Sequence, residues 1–347
     1  MEVVNLSPVN GTKVAGFDLD ESIITTRSGC KFPKDENDWK FKFPIVIKKL
    51  KELYDQHYNI IIFTNQLRTD LPIFKEKLVD IFNNSLSVIS RVYISTKKDH
   101  FRKPLIGMWM ELSNTMNVDY SNSFFVGDAA GRENPKDHSC SDRLFALNIG
   151  IKFFTPEEFF LRELSRPFKL PFYPSDELFK NNIPNPIIRP RVQEILIMVG
   201  APASGKSTFC SNYLSQYYKI ISRDKVGDTN KCITKANHEL NNGYSIVIDN
   251  LNTNVAVRKV YIDIAKQRCI TCRCLIMMTT KDHCLHNNKF RYIMTGKFIE
   301  VVVYNVYYSK FEAPTLMEGF NEIIQLKFIP QLTKENEKIY KMHLLEK

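Results

Sequence analysis

Largely apolar runs of four to six residues recur along this chain, and each one stops at polar residues suited to chemistry. Val14–Phe17 leads to Asp18 and Asp20, Asn59–Phe63 to Thr64 and Asn65, and Ser123–Val126 to Gly127 and Asp128. Glu194–Val199 leads to a glycine-bounded loop at Gly200, and Ser245–Ile248 to Asp249. Runs this short, rich in β-branched and aromatic residues, predict buried strands. Longer helical stretches separate them, so the alternation reads as βα units in parallel sheets. Ligands of such sheets bind beyond the carboxyl ends of the strands, which makes the polar tips the candidate functional positions.

The pattern breaks between residues 166 and 192, where six prolines (167, 171, 174, 184, 186 and 190) remove backbone donors and predict a linker. The expected fold class is therefore α/β, with two parallel-sheet domains at residues 1–165 and 193–347. A chain of 347 residues can supply two cores. From Thr333 the tail KENEKIYKMHLLEK reads as a terminal amphipathic helix. No stretch approaches the apolar length of a membrane span, and the opening residues lack the pattern of a secretory signal. An intracellular protein whose eight cysteines are free thiols is expected.

Charge sharpens the picture. The net charge is +10; residues 1–170 carry 24 basic and 22 acidic side chains, and the remainder carries 24 and 16. The excess in the second half favours a polyanionic partner, nucleic acid or an acidic protein. Cys269, Cys272 and Cys274, with His283, Cys284 and His286 beyond, could be read as zinc ligands, but Cys272 and Cys274 share one face of a strand pattern and read better as buried thiols. Tyr304, Tyr307 and Tyr308 read as packing residues more readily than as base-stacking ones.

Asp18 and Asp20 lie two apart just past a strand, which suits covalent phosphate chemistry. One carboxylate attacks phosphorus and the other protonates the leaving oxygen and then activates water. An anionic nucleophile and an anionic substrate require a hard cation, for which Mg²⁺ is the natural choice. Asp128 could complete its shell, Thr64 could hydrogen-bond the phosphoryl oxygens, and Lys103 could neutralise them. Strand-Asp-x-Asp, strand-Thr, Lys and strand-Gly-Asp in that order resemble the haloacid dehalogenase superfamily, whose phosphatases use these four motifs.

The run Gly200-Ala201-Pro202-Ala203-Ser204-Gly205-Lys206-Ser207-Thr208 fits G-x-x-x-x-G-K-[ST] at every fixed position, after a strand and before a helical pattern. Its backbone would cradle the phosphates of ATP, Lys206 would reach the β- and γ-phosphates, and Ser207 would ligate Mg²⁺. Asp224 is placed to take a proton from an acceptor hydroxyl, as a kinase requires. Asp249 could orient that site or simply cap a strand end. In His286–Arg291, Lys289 and Arg291 could close over the phosphates as a lid.

The two halves together resemble the polynucleotide kinase 3′-phosphatase family. The likeness rests on ITTRSG (24–29), Phe63 to Gln66, Arg102 to Pro104 with Gly107 to Trp109, FFVGDAAGR (124–132) and RLFALN (143–148) in the first half. His286 to Arg291 and FEAPTL (311–316) carry it in the second. The resemblance implies DNA end repair: removal of a 3′-phosphate and ATP-dependent addition of a 5′-phosphate at nicks, gaps and breaks, leaving ends for a downstream ligase. It implies Asp18 as nucleophile, Asp20 as acid/base, Asp18, Asp20 and Asp128 at the first magnesium, Ser207 at the second and Asp224 as kinase base. A monomer is expected, in the nucleus first and the cytoplasm second.

Three departures from the family stand out. Asp20-Glu21-Ser22 replaces Asp-Gly-Thr, so a charged side chain stands where glycine is usual, and repulsion by Glu21 is expected to slow the phosphatase. The loop Leu67-Arg68-Thr69-Asp70-Leu71 is several residues shorter than the family's. With about 13 residues before the Asp18 strand, no forkhead-associated domain is expected there. The rival readings are a DNA-end-binding or kinase-only protein with a weakened phosphatase half, and an RNA end-healing enzyme with the same catalytic residues.

Overall fold

The structure is a computed structural model, and it describes every residue except 68, 69, 86, 175, 176 and 181–184. Arg68 and Thr69 of the shortened loop and Pro184 of the proline-rich segment therefore lie outside the described residues. The chain divides into two units: Met1–Pro171 with Met342–Lys347, and Phe172–Lys341.

The first unit holds β1 (Glu2–Asn5), β2 (Lys13–Phe17), a small ribbon of β3 (Ile24–Thr25) and β4 (Lys40–Phe41), then β5 (Tyr58–Asn65), β6 (Ile89–Ser95), β7 (Phe124–Val126) and β8 (Lys152–Phe154). Its sheet runs β1-β6-β5-β2-β7-β8, with only β1 antiparallel to its neighbour. The period-2 geometry of a strand sorts its side chains: Ala15, Phe17, Ile60 and Ile62 pack on one face, while Val14, Ile61, Phe63 and Phe125 pack on the other. Both faces are covered, which is why these strands read as nearly continuous apolar runs. Gly16 is required by close packing, since a Cβ there would stand 2.8 Å from the Phe125 ring.

The second unit holds β9 (Glu194–Val199), β10 (Lys219–Ile221), β11 (Ile246–Ile248), β12 (Thr271–Met277) and β13 (Glu322–Leu326), all parallel in the order β10-β11-β9-β12-β13. Ile195, Ile197 and Val199 face one core and Leu196 and Met198 the other. Cys272 and Cys274 are buried in β12, in the same core as Ile195. Tyr304 and Tyr307 are buried beside Cys284. Among the described residues no helix is long and apolar enough to cross a membrane.

Two boundaries differ from the expected ones. The described part of the proline-rich segment is packed rather than free. The Phe168 ring covers the Arg143 guanidinium at 3.7 Å and the Lys169 N–H donates to the Gly131 carbonyl at 2.9 Å, so residues up to 171 belong to the first unit. Phe172 stacks on His283 at 4.9 Å and belongs to the second. Among its described residues the segment contributes no strand to either sheet, but its aromatic residues still anchor it. At the far end, the expected terminal helix covers only Lys334–Tyr340, capped by the Thr333 hydroxyl, and residues 342–347 return to the first unit.

Candidate active sites

In the first unit β2 lies between β5 and β7: the chain builds the sheet outward from β2 through β5 to β6, then crosses to the other side of β2 to add β7. This is the switch point at which parallel sheets open a crevice. Asp18 follows β2, Thr64 is the penultimate residue of β5 and Asp128 lies just past β7, so the predicted strand tips converge. Lys103 arrives on a loop whose backbone is clamped by Asn65, which accepts from the Lys103 N–H at 3.1 Å and donates to its carbonyl at 3.2 Å.

Lys103 is 1% exposed, and its ammonium sits between two carboxylates, 2.6 Å from Asp18 and 2.7 Å from Asp142. Burial pulls its pKa down, but Asp142 and Asp18 outweigh this and hold it above the ordinary lysine value. Asp18 is pushed up to about 7 chiefly by burial, against the pull of Lys103. Asp128 is held well above the carboxylate range by burial and by the negative charges of Asp142 and Asp18. Carboxylate oxygens of Asp18, Asp128 and Asp142 lie within 4.8 Å of one another. Such crowding of acids raises their pKa values unless a cation joins them. The oxygens of Asp142 already accept from Lys103 and, at 3.0 Å, from the Ala129 N–H. That leaves Asp18 and Asp128 as the side chains best able to hold a hard cation.

Asp20 stands apart from this group. Its carboxylate accepts from the Gln66 amide at 2.6 Å and lies 3.9 Å from the Lys77 ammonium, half exposed at the mouth. The same Gln66 amide donates to the buried Thr64 hydroxyl at 3.0 Å, which ties Asp20 to the β5 tip. Asp142 and Lys77 were not identified from sequence. Asp142 stands in the first turn of the helix Ser141–Ile149, and its side chain fills the space a Cβ on Gly127 would need, with its carboxyl atoms 2.4–2.5 Å from that position.

Glu21 is turned away from the carboxylate cluster. Its side chain accepts from the Thr25 hydroxyl at 2.5 Å and lies 3.8 Å from Lys42, so much of the charge expected to repel a phosphate is met locally. The backbone tells a different story: Glu21 has φ 53°, the left-handed region that favours glycine. Glu21→Gly should therefore stabilise the first unit by about 1 kcal/mol, seen as a higher unfolding midpoint, while changing phosphatase kcat/KM less than about twofold. A larger rise in kcat/KM would restore the repulsion argument.

In the second unit the P-loop follows β9, with Ala203 at φ 55° and Gly205 at φ 100° making the turn into the helix Lys206–Phe209 and its continuation Cys210–Leu214. A Cβ on Gly205 would meet the Phe328 ring at 2.8 Å. Lys206 is nearly buried and its ammonium donates to the carbonyls of Gly200 at 2.7 Å and Ala201 at 2.8 Å. Burial lowers its pKa to about 8, opposed first by Asp249. Asp249 is itself raised by burial, opposed by a hydrogen bond from Ser207 and by the Lys206 charge. One of its oxygens, Oδ1, is buried with no protein partner. A buried carboxylate beside a P-loop serine is what a nucleotide-bound Mg²⁺ would complete, which favours a place for Asp249 in the site over a strand cap.

Asp224 is exposed on the short helix Arg223–Val226, close enough for its charge to act on both Lys206 and Asp249. The segment His286–Arg291 lies in the helix Lys281–Thr295. From it Asn287 donates to the Ala203 carbonyl at 3.0 Å, and Thr279 donates to the Ser204 carbonyl at 2.9 Å, fixing the loop from outside. The Asn287 oxygen accepts from Tyr340 at 2.5 Å, whose hydroxyl also meets His283 at 2.7 Å. Arg291 is held by Asn288 at 2.8 Å, with its Nε buried and unpartnered, rather than on the loop itself.

A haloacid dehalogenase-like carboxylate site and a P-loop, each at the switch point of a mainly parallel sheet, define an enzyme with two phosphoryl-transfer centres. The family description polynucleotide kinase 3 phosphatase matches residues 13–160. A bifunctional polynucleotide phosphatase/kinase of Schizosaccharomyces pombe is 39% identical over 330 residues, covering 91% of this chain and 80% of the relative. A putative bifunctional polynucleotide phosphatase/kinase of Acanthamoeba polyphaga mimivirus is 34% identical over 362 residues, covering 91% and 85%. A polynucleotide 3′-phosphatase of Arabidopsis thaliana matches at 33% over 177 residues, 45% of this chain and 25% of that one. The chain belongs to the bifunctional polynucleotide phosphatase/kinase family.

Proposed function

We propose that this polynucleotide phosphatase/kinase acts on the ends of DNA strand breaks, removing 3′-phosphates in the first unit and phosphorylating 5′-hydroxyls with ATP in the second, so that a ligase can join them. The observation that carries the reading is the buried Asp18–Lys103 pair at 2.6 Å beside Asp128, in a chain that also holds an intact P-loop.

In the phosphatase reaction Asp18 attacks phosphorus and forms an aspartyl-phosphate. Lys103 is paired with Asp18 before the substrate enters and stays charged because Asp142 anchors its other side, so it is ready to neutralise the phosphoryl oxygens. Thr64 donates a hydrogen bond to the same oxygens. Asp20, exposed and oriented by Gln66, gives a proton to the departing 3′-oxygen and later takes one from the attacking water. A magnesium ion held by Asp18 and Asp128 would screen the charge between nucleophile and phosphate.

In the kinase reaction the anion replaces the Gly200 and Ala201 carbonyls as partner of Lys206. Ser207 and Asp249 would hold the magnesium of the nucleotide. Asp224 accepts the proton of the 5′-hydroxyl, and its exposure suits contact with a polymer end. The net charge of +10 favours a polyanionic substrate.

The test uses matched DNA and RNA oligonucleotides bearing 3′-phosphate and 5′-hydroxyl ends, with Mg²⁺ and ATP. DNA ends should be processed faster in both reactions, and chelation of the metal should stop both. Faster processing of the RNA ends would turn the assignment to RNA end healing.

A further inference from the structure

Residues 342–347 follow the kinase unit in sequence but belong to the phosphatase unit. Their contacts fall on two places that flank Lys103. At one, the His343 N–H donates to the Asn148 side-chain oxygen at 2.7 Å, and the Asn148 amide donates to the His343 carbonyl at 3.0 Å. The same amide donates to the carbonyl of Pro104, the residue next to Lys103, at 2.9 Å. At the other, the Glu346 carbonyl accepts from the Cys140 N–H and from its thiol, both at 3.1 Å. Cys140 caps the helix Ser141–Ile149, and Asp142 in its first turn holds Lys103. Between the two contacts Leu344 is buried at 1% exposure.

The spacing makes this a fitted strap. Asn148 and Cys140 are eight residues apart on a helix, about 12 Å at its rise per residue. His343 and Glu346 are three residues apart, which at full extension reaches about 10 Å. The strap therefore runs along the helix and meets both its ends. Through Asn148 one end reaches the turn that carries Lys103, and the other meets the helix start that carries the Lys103 partner.

We propose that residues 343–346 position Lys103, and through it the phosphatase centre, by bracing both segments that hold it. The inference rests on the reading of Asp18 and Lys103 as phosphatase residues. None of the strap residues touches Asp18, so its action is on placement. Misplacement of a catalytic group by about 1 Å costs up to ~10²-fold in rate with little effect on binding. Removal of the strap should therefore lower kcat and leave KM largely alone.

The experiment compares deletion of residues 342–347, Leu344→Ala and Asn148→Ala with the unaltered chain, each checked for folding by circular dichroism, and with Asp18→Ala as reference. The deletion should lower 3′-phosphatase kcat by about tenfold or more and the point variants by about threefold or more, with KM within about twofold. The 5′-kinase should keep its kcat and KM in all three. A synthetic peptide of residues 342–347, added at millimolar concentration, should restore part of the lost phosphatase kcat to the deletion. Unchanged phosphatase kcat in the folded deletion, or an equal loss of both activities, would overturn the inference. If the deletion does not fold, unchanged phosphatase in both point variants does the same. Phosphatase activity retained by Asp18→Ala would instead overturn the site assignment beneath it.

Discussion

Asp18→Asn should abolish 3′-phosphate release, by at least ~10³-fold or about 4 kcal/mol of barrier, while the 5′-kinase stays within about twofold of the unaltered chain. An amide oxygen cannot form the phosphoryl-enzyme, and no neighbour can take over the attack. Asp142 has both oxygens engaged by Lys103 and the Ala129 amide, and Asp20 is drawn to Gln66 and Lys77. The variant should fold, because Asp142 still pairs with Lys103 and the loss of one charge relieves the crowding that raises Asp128. The measurement is release of phosphate from a 3′-phosphorylated oligonucleotide, with trapping of the phosphoryl-enzyme as a second readout. Loss of both activities in a folded variant would contradict the assignment of the two reactions to separate units.

What the sequence made visible was mostly at strand ends. Asp18, Thr64, Asp128 and Gly200 each follow a fully buried run, and buried runs bounded by polar residues are the strongest short-range signal a parallel sheet leaves. β6 gave less, because Ser90 and Arg91 interrupt its apolar run, and β1 is a four-residue edge strand with only alternate positions half-buried. Asp142 left no local mark. It reaches Lys103 only because the helix Ser141–Ile149 folds back onto Gly127, where no side chain stands in its way. Side-chain direction was equally hidden at Glu21: adjacency to Asp20 suggested repulsion, whereas the carboxylate is bound to Thr25 and the strain lies in the backbone. The proline-rich segment shows the same limit from the other side. Its prolines pointed to a linker, but the packing of Phe168 and Phe172 depends on partners far away in sequence.

Lys206→Ala should lower 5′-phosphorylation by ~10²-fold or more and leave the phosphatase unchanged. The buried Lys206 ammonium is held by two loop carbonyls, with Ser207 and Asp249 beside it. Removing it takes a buried cation from the place of the β- and γ-phosphates and leaves the Asp249 carboxylate with less to offset its burial, so nucleotide affinity and turnover should both fall. Asp224→Asn offers the contrast. It lies outside the loop and should leave ATP affinity near that of the unaltered chain while kcat drops by a similar ~10²-fold, since only proton removal from the 5′-hydroxyl is lost. Raising the pH should recover part of the Asp224→Asn rate, as hydroxide substitutes for the missing base, but not the Lys206→Ala rate. Full turnover by Asp224→Asn at neutral pH would remove Asp224 from the mechanism, and undiminished ATP affinity in Lys206→Ala would show that the loop backbone alone holds the nucleotide.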